Sequence, residues 1–207
     1  MKIKQAFTLA EVLITLVIIG VIAAMTIPTL INKTNNQEYV SRLKKTYSTL
    51  SQIMSRYIAE EGTPKASVGG WATDAATVTE KFKKYLNGAE ECESGQRCFD
   101  NIMNGLTGKN LSLSDGAFVN IYDVNPACNW GQAVDGADAM GTTCGYIHID
   151  VNGHKGPNKW GRDGFRFYFT EKGLFPTGCE YNSSNCLANG GGMACTCVAL
   201  KENAINY

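Results

Sequence analysis

Between Lys4 and Lys33 the chain carries one charged side chain, Glu11, at the head of a run from Val12 to Ile31, 20 residues without a charge. A lone carboxylate there suits one kind of chemistry, holding a cation, because a charge on an apolar helix is costly unless paired or near a membrane interface. Eight cysteines supply a second chemistry: Cys92, Cys98, Cys128, Cys144, Cys179, Cys186, Cys195 and Cys197. Their even number and their absence from the first 91 residues suit a disulfide-stapled distal region in an oxidising compartment. The spacings C-x5-C, C-x6-C and C-x-C differ from the close pairs of zinc sites, and His148 and His154 are the only histidines. Cys195 and Cys197 are expected to bond different partners, since a C-x-C bridge is strained; the rest of the connectivity stays open. A third cluster, Asp150, Asn152, Asn158 and Asp163, gathers oxygen donors that could ligate calcium. It lacks the third acid and the terminal Glu of an EF-hand loop, and Lys155 and Arg162 would repel a cation. A turn held by Asx hydrogen bonds is the favoured reading. No nucleophile elbow, Ser/His/Asp set or phosphate loop is present, and Gly190-Gly191-Gly192 reads as a flexible link, so an enzyme is not expected.

These residues need elements to place them. Val12 to Ile31 matches the roughly 20 residues that cross a hydrocarbon core. From Tyr39 the apolar positions Tyr39, Val40, Leu43, Tyr47, Leu50, Ile53, Met54, Tyr57 and Ile58 make one helical stripe, opposed by Arg42, Lys44, Lys45, Ser48 and Arg56. One helix from Thr8 to Ile58 follows, its first half apolar all round, its second packed on a domain and ended by Gly62-Thr63-Pro64. Thr77-Val78-Thr79-Glu80 fits a capping box opening a short helix. Ala117–Tyr122, Cys144–Val151 and Phe165–Phe169 alternate as strands, and Lys172-Gly173 turns the chain into Leu174-Phe175-Pro176. The expected fold is α+β: a long N-terminal helix, transmembrane in its first half, packed on a small antiparallel sheet of three or four strands. The region is disulfide-rich at its C-terminal end, with an irregular tail from Gly178 to Tyr207.

Three readings of the N-terminal segment compete: a signal peptide cut near Ala23-Ala24, a plain anchor, or a segment that uses Glu11. The order of residues Lys4-Gln5-Ala6-Phe7-Thr8-Leu9-Ala10-Glu11-Val12-Leu13-Ile14 resembles the prepilin leader and cleavage site of type IV pilins and type II secretion pseudopilins. The resemblance covers about residues 1 to 31. It implies that a membrane peptidase cuts between Ala6 and Phe7 and N-methylates Phe7, with Glu11 as the assembly carboxylate. It also places Pro28 where the family carries a helix-kinking proline, so bending or melting near Gly20 and Pro28 is expected on assembly. The family usually has Gly before the cut; Ala6 is also small, and slower cleavage is expected. Some pseudopilins bind calcium in a C-terminal loop, which is the other ground for weighing calcium at Asp150, Asn152, Asn158 and Asp163. No other cofactor is implied.

Four regions follow: a leader at 1–6, a transmembrane and polymerisation helix at 7–31, its amphipathic continuation at 32–60, and a pilin-like head with a Cys-rich tail at 61–207. The expected function is a structural subunit of a pilus-like filament, with a secretion pseudopilin and a minor pilin or adhesin as alternatives. The expected partners are pilin-like subunits and the prepilin peptidase. The place is the bacterial inner membrane, single-pass with the C-terminal domain outside, and then a periplasmic or surface filament. Positive residues flank both ends of the span, so the cysteines rather than charge set that orientation. With 19 basic and 19 acidic residues, nothing points to nucleic acid.

Overall fold

The computed structural model describes residues 8–70, 72–92, 98–99, 109–130, 143–188 and 190–207. The chain forms two compact units, Met1–Asn36 and Gln37–Tyr207, each described by itself. Helix α1, Leu9–Glu61, contributes to both.

In the first unit α1 is apolar on every side. Leu9 is 80% exposed, Val17 64% and Met25 73%. The helix is long and apolar enough to cross a membrane by length and composition. Its hydroxyls are turned inward onto the backbone. Thr15 Oγ1 donates to the Val12 carbonyl at 2.9 Å, Thr26 to Ile22 at 3.0 Å and Thr34 to Leu30 at 3.0 Å. These bonds satisfy polar groups that lipid cannot solvate.

In the second unit α1 buries Tyr39, Val40, Leu43, Thr46, Leu50, Ile53, Met54 and Tyr57, a stripe advancing in helical steps. Tyr47 is half-buried, its ring stacked on Phe167 at 5.1 Å. The short helix α2, Ala75–Lys83, starts three residues before the capping box at Thr77–Glu80 would place it. Asp74 is the cap, its Oδ1 accepting the Thr77 N–H at 2.8 Å, and a carboxylate acceptor outcompetes the hydroxyl one turn later. Val78 and Phe82 then face the core.

The described residues form a six-stranded antiparallel sheet rather than one of three or four. Its strands are β1 Glu90–Glu91, β2 Lys109–Ser112, β3 Phe118–Tyr122, β4 Thr143–Asp150, β5 Gly164–Thr170 and β6 Gly173–Pro176, each beside its sequence neighbour. The two extra strands are two and four residues long, and polar but for Leu111, so they show no alternation to detect.

The inner face packs Leu111, Val119, Ile121, Ile147, Ile149, Phe165, Phe167 and Phe169 into one core with the α1 stripe. Each of the three phenylalanines is fully buried and contributes about 2 kcal/mol of apolar transfer. Together they rival a typical domain's net stability of about 5–15 kcal/mol, so this face carries the fold.

The outer face is laid out in two rows. One runs Asn110, Asn120, His148 and Arg166 across β2 to β5; the other runs Tyr122, Tyr146, Tyr168 and Phe175 across β3 to β6. The polar row is bonded laterally. Asn120 Nδ2 donates to Asn110 Oδ1 at 2.7 Å, and Asn120 Oδ1 meets His148 Nδ1 at 3.1 Å.

The tail is more regular than its composition suggests. It holds the helix α3, Thr196–Glu202, whose Val198 and Ala199 are buried. The glycine triplet forms part of a tight turn, Gly190–Cys195, instead of a loose link. A Cβ at Gly192 (φ +99°) would meet the Trp160 carbonyl. Four disulfides fix the head: Cys92–Cys98, Cys128–Cys144, Cys179–Cys197 and Cys186–Cys195. Cys195 and Cys197 take different partners, as the strain argument required.

Candidate assembly and processing segment

The N-terminus of α1 is closed by its own side chains. The Thr8 N–H donates to Glu11 Oε2 at 2.9 Å, and Thr8 Oγ1 donates to the same oxygen at 2.7 Å. The Glu11 N–H donates back to Thr8 Oγ1 at 3.3 Å. This is a reciprocal capping box: a hydroxyl and a carboxylate three residues apart satisfy amides the first helical turn leaves bare. The role of Thr8 is an addition to the residues named from sequence, and its signal is the T-x-x-E pattern of Thr8 and Glu11. The box puts both donors on Oε2, and Oε1 makes no hydrogen bond among the described residues. Glu11 is thus oriented at the tip of the helix with one oxygen toward solvent.

Ala6 and Phe7 lie outside the described residues. Gly20 and Pro28 lie inside α1, which runs on through both. Pro28 has no N–H to give the Ala24 carbonyl, so the ladder lacks a rung there. A side chain at Gly20 would meet nothing within 4 Å. Gly20 is therefore not held by close packing within the chain, which leaves its backbone freedom as its local property.

Asp150, Asn152, Asn158 and Asp163 do come together, in the turn joining β4 to β5. Asp150 Oδ1 accepts the N–H groups of Asn152 and Gly153 at 3.1 and 2.9 Å. Asp163 accepts from Asn158 and Lys159 at 2.8 and 2.7 Å, one on each oxygen. The Asn158 amide, with its nitrogen turned inward, donates to the carbonyls of Gly153 and Lys155. Burial raises the Asp163 carboxyl above the usual range despite these amides. Calcium takes six to eight oxygens. Here the acids are engaged by backbone donors, and no group of three or more His, Cys, Asp or Glu suited to a metal occurs among the described residues. The backbone donors on Asp150 and Asp163 make the arrangement an Asx-braced turn. The turn in turn grips α1 within the head: Tyr39 Oη donates to the Gly156 carbonyl at 3.1 Å, and Arg42 to Val151 at 3.4 Å.

His148 is packed rather than poised. It is 3% exposed, with the Trp160 ring edge-on at 5.1 Å. Burial, helped by the Arg166 charge, pushes its pKa down to about 3, so the ring is neutral. His154 lies edge-on against Phe118 at 4.8 Å.

The segment's order of residues decides what it is. Residues 1–27 match the prokaryotic N-terminal methylation motif. The methylation motif is the signature shared by type IV pilins and pseudopilins, and it implies processing by prepilin peptidase and assembly with pilin-like subunits. It suggests a structural subunit instead of an enzyme, and with the apolar helix it fits membrane anchoring. No curated protein and no solved structure matches the chain. The motif ends ten residues before the second unit begins, so the head is read from its own structure.

Proposed function

We propose that this chain is a structural subunit of a type IV pilus-like filament, cut between Ala6 and Phe7, N-methylated at Phe7 and assembled through its N-terminal helix. The observation that carries the reading is the methylation motif set on a helix whose apolar side chains are exposed all round, with Glu11 held at its tip. The freed Phe7 amine is a cation, methylation keeps its charge, and the open Glu11 oxygen of a neighbouring subunit suits it. Two charges that would each be costly in an apolar bundle then neutralise one another and fix the axial stagger. Around them the exposed Leu13, Leu16, Val17, Ile19 and Val21 supply the packing surface. Gly20 and Pro28 are the points where the helix yields on assembly. The head sits outside the inner membrane, where its four disulfides form, and is then carried into a periplasmic or surface filament.

Intact and N-terminal mass spectrometry of the protein from its native host tests the processing: a mature chain starting at methylated Phe7 is expected. A chain starting near Met25 would make it a conventionally secreted protein and end the proposal. Glu11→Ala is expected to abolish incorporation into sheared filaments while the head keeps its melting temperature; normal incorporation refutes the pairing role. Deletion that stops protein secretion and leaves surface fibres intact would assign the chain to a secretion pseudopilus.

A further inference from the structure

The outer face of the sheet carries a cation with an unmet bond. Arg166, on β5, lays its guanidinium 5.2 Å from the Tyr146 ring centre and 6.0 Å from that of Tyr168. Its Nε is buried and has no hydrogen-bond partner, and Arg166 forms no ion pair among the described residues. A buried guanidinium donor left unsatisfied is costly, and cation–π contact with two rings offsets only part of that cost. A planar acid accepting from Nε and an adjacent Nη would complete it, the two-pronged geometry that arginine offers and lysine does not.

The surroundings describe the rest of that ligand. Tyr146 is half-buried, as are Tyr122 and Phe175 in the same row, Tyr168 between them is buried, and Trp130 stacks on Tyr146 at 5.6 Å. Rings with an apolar face and a polar edge suit the C–H faces and hydroxyls of pyranose sugars. The wall beside Arg166 is stiff. The Arg166 N–H donates to Thr196 Oγ1 at 3.0 Å, and Thr177 Oγ1 donates to the Arg166 carbonyl at 2.9 Å. Both threonines lie within the segment bridged by Cys179–Cys197 and Cys186–Cys195, or two residues from it. The charge count selects among anions. A nucleic acid needs a cation for each of several closely spaced phosphates. These two rows offer Arg166 alone, which matches a polymer whose charges are isolated between neutral units.

We propose that this face binds an acidic glycan, one uronic or similar sugar acid placing its carboxylate on Arg166 while neighbouring sugars lie along the tyrosine row. Isothermal titration of the full chain in detergent tests it with a tetrasaccharide alternating glucuronate and N-acetylglucosamine. The controls are a tetrasaccharide of N-acetylglucosamine alone and a single-stranded thymidine oligonucleotide. The acidic tetrasaccharide is expected to bind at least about tenfold tighter than the neutral one. Arg166→Gln should erase that difference with little change in melting temperature, because the lost contacts with Tyr146 and Tyr168 are set against removal of a buried donor left unbonded, and Arg166→Lys should restore only part of it. Tyr146→Ala should weaken both sugars. Absence of binding, equal affinity for the two sugars, tighter binding of the oligonucleotide, or a large fall in melting temperature for Arg166→Gln overturns the proposal. The same titration on Glu11→Ala is expected to be unchanged, which keeps this result independent of filament assembly.

Discussion

Thr8 and Glu11 share one hydrogen-bonded device at the tip of α1, and it gives the carboxylate a fixed place before any neighbour arrives. Thr8→Val keeps the shape and removes the hydroxyl, so Glu11 loses two of its three bonds to residue 8. Filament incorporation is expected to fall several-fold, with Thr8→Ser retaining it; quantifying subunit in sheared fibres measures both. His148 makes a second residue-scale prediction. Its folded pKa, about 3, lies below the ordinary 6.5 of an unfolded histidine. Between those values the unfolded chain binds the extra proton, so this contribution is complete above pH 6.5 and drains away as pH falls toward 3. The slope approaches ~1.4 kcal/mol per pH unit. Denaturant unfolding at pH 7, 6 and 5 should show it, and the difference between wild type and His148→Gln isolates it from the carboxylates. Equal slopes for the two proteins would refute it.

At the scale of elements, the fold was legible wherever side chains repeat. The Tyr39–Tyr57 stripe and the strands at Phe118, Ile147 and Phe165 announce themselves by period, because burial on one face is what the period records. What stayed hidden had no room for a repeat: β1 is two residues long, β2 has one inward apolar residue, and α3 is a seven-residue helix in a Gly- and Asn-rich tail. Thr8 is legible by another signal, the Thr8-x-x-Glu11 pairing at fixed spacing, which leaves no periodic trace. Arg166 stood out only as a polar position alternating with phenylalanines; its missing partner is a tertiary fact. The tail's dependence on backbone fit yields a further test. Gly178 has φ +82°, and a Cβ there would collide with the Ala194 carbonyl. Gly178→Ala should therefore destabilise the head by more than about 2 kcal/mol, read as a lowered denaturant midpoint. An unchanged midpoint would show that the tail does not press on this turn.

For the molecule as a whole, the covalent bonds and the destination go together. Four bridges tie the head, including Cys128–Cys144 and Cys179–Cys197 with sequence separations of 16 and 18. A loop of that length is worth about 3 kcal/mol, so the set is comparable with the whole stability of a domain, about 5–15 kcal/mol. Reduction with dithiothreitol is expected to abolish the near-ultraviolet circular dichroism of the head at temperatures where the oxidised protein is folded. Retention of that signal would show that the core stands without its bridges and would weaken the link to an oxidising compartment.

Each strand of the sheet pairs with the one before it in the chain, from β1 to β6. The consequence is kinetic. A meander pairs each strand with its neighbour in sequence, which keeps contacts more local than a crossover topology and costs less chain entropy before each pairing is rewarded. On the proposed route, a head that follows its helix outward can thus pair each strand with the one before it in order of emergence, without waiting for a distant strand. Cys195 and Cys197 follow all six strands, so bonding them to Cys186 and Cys179 is the closing stitch: oxidation at those two sites timestamps a head that has fully emerged.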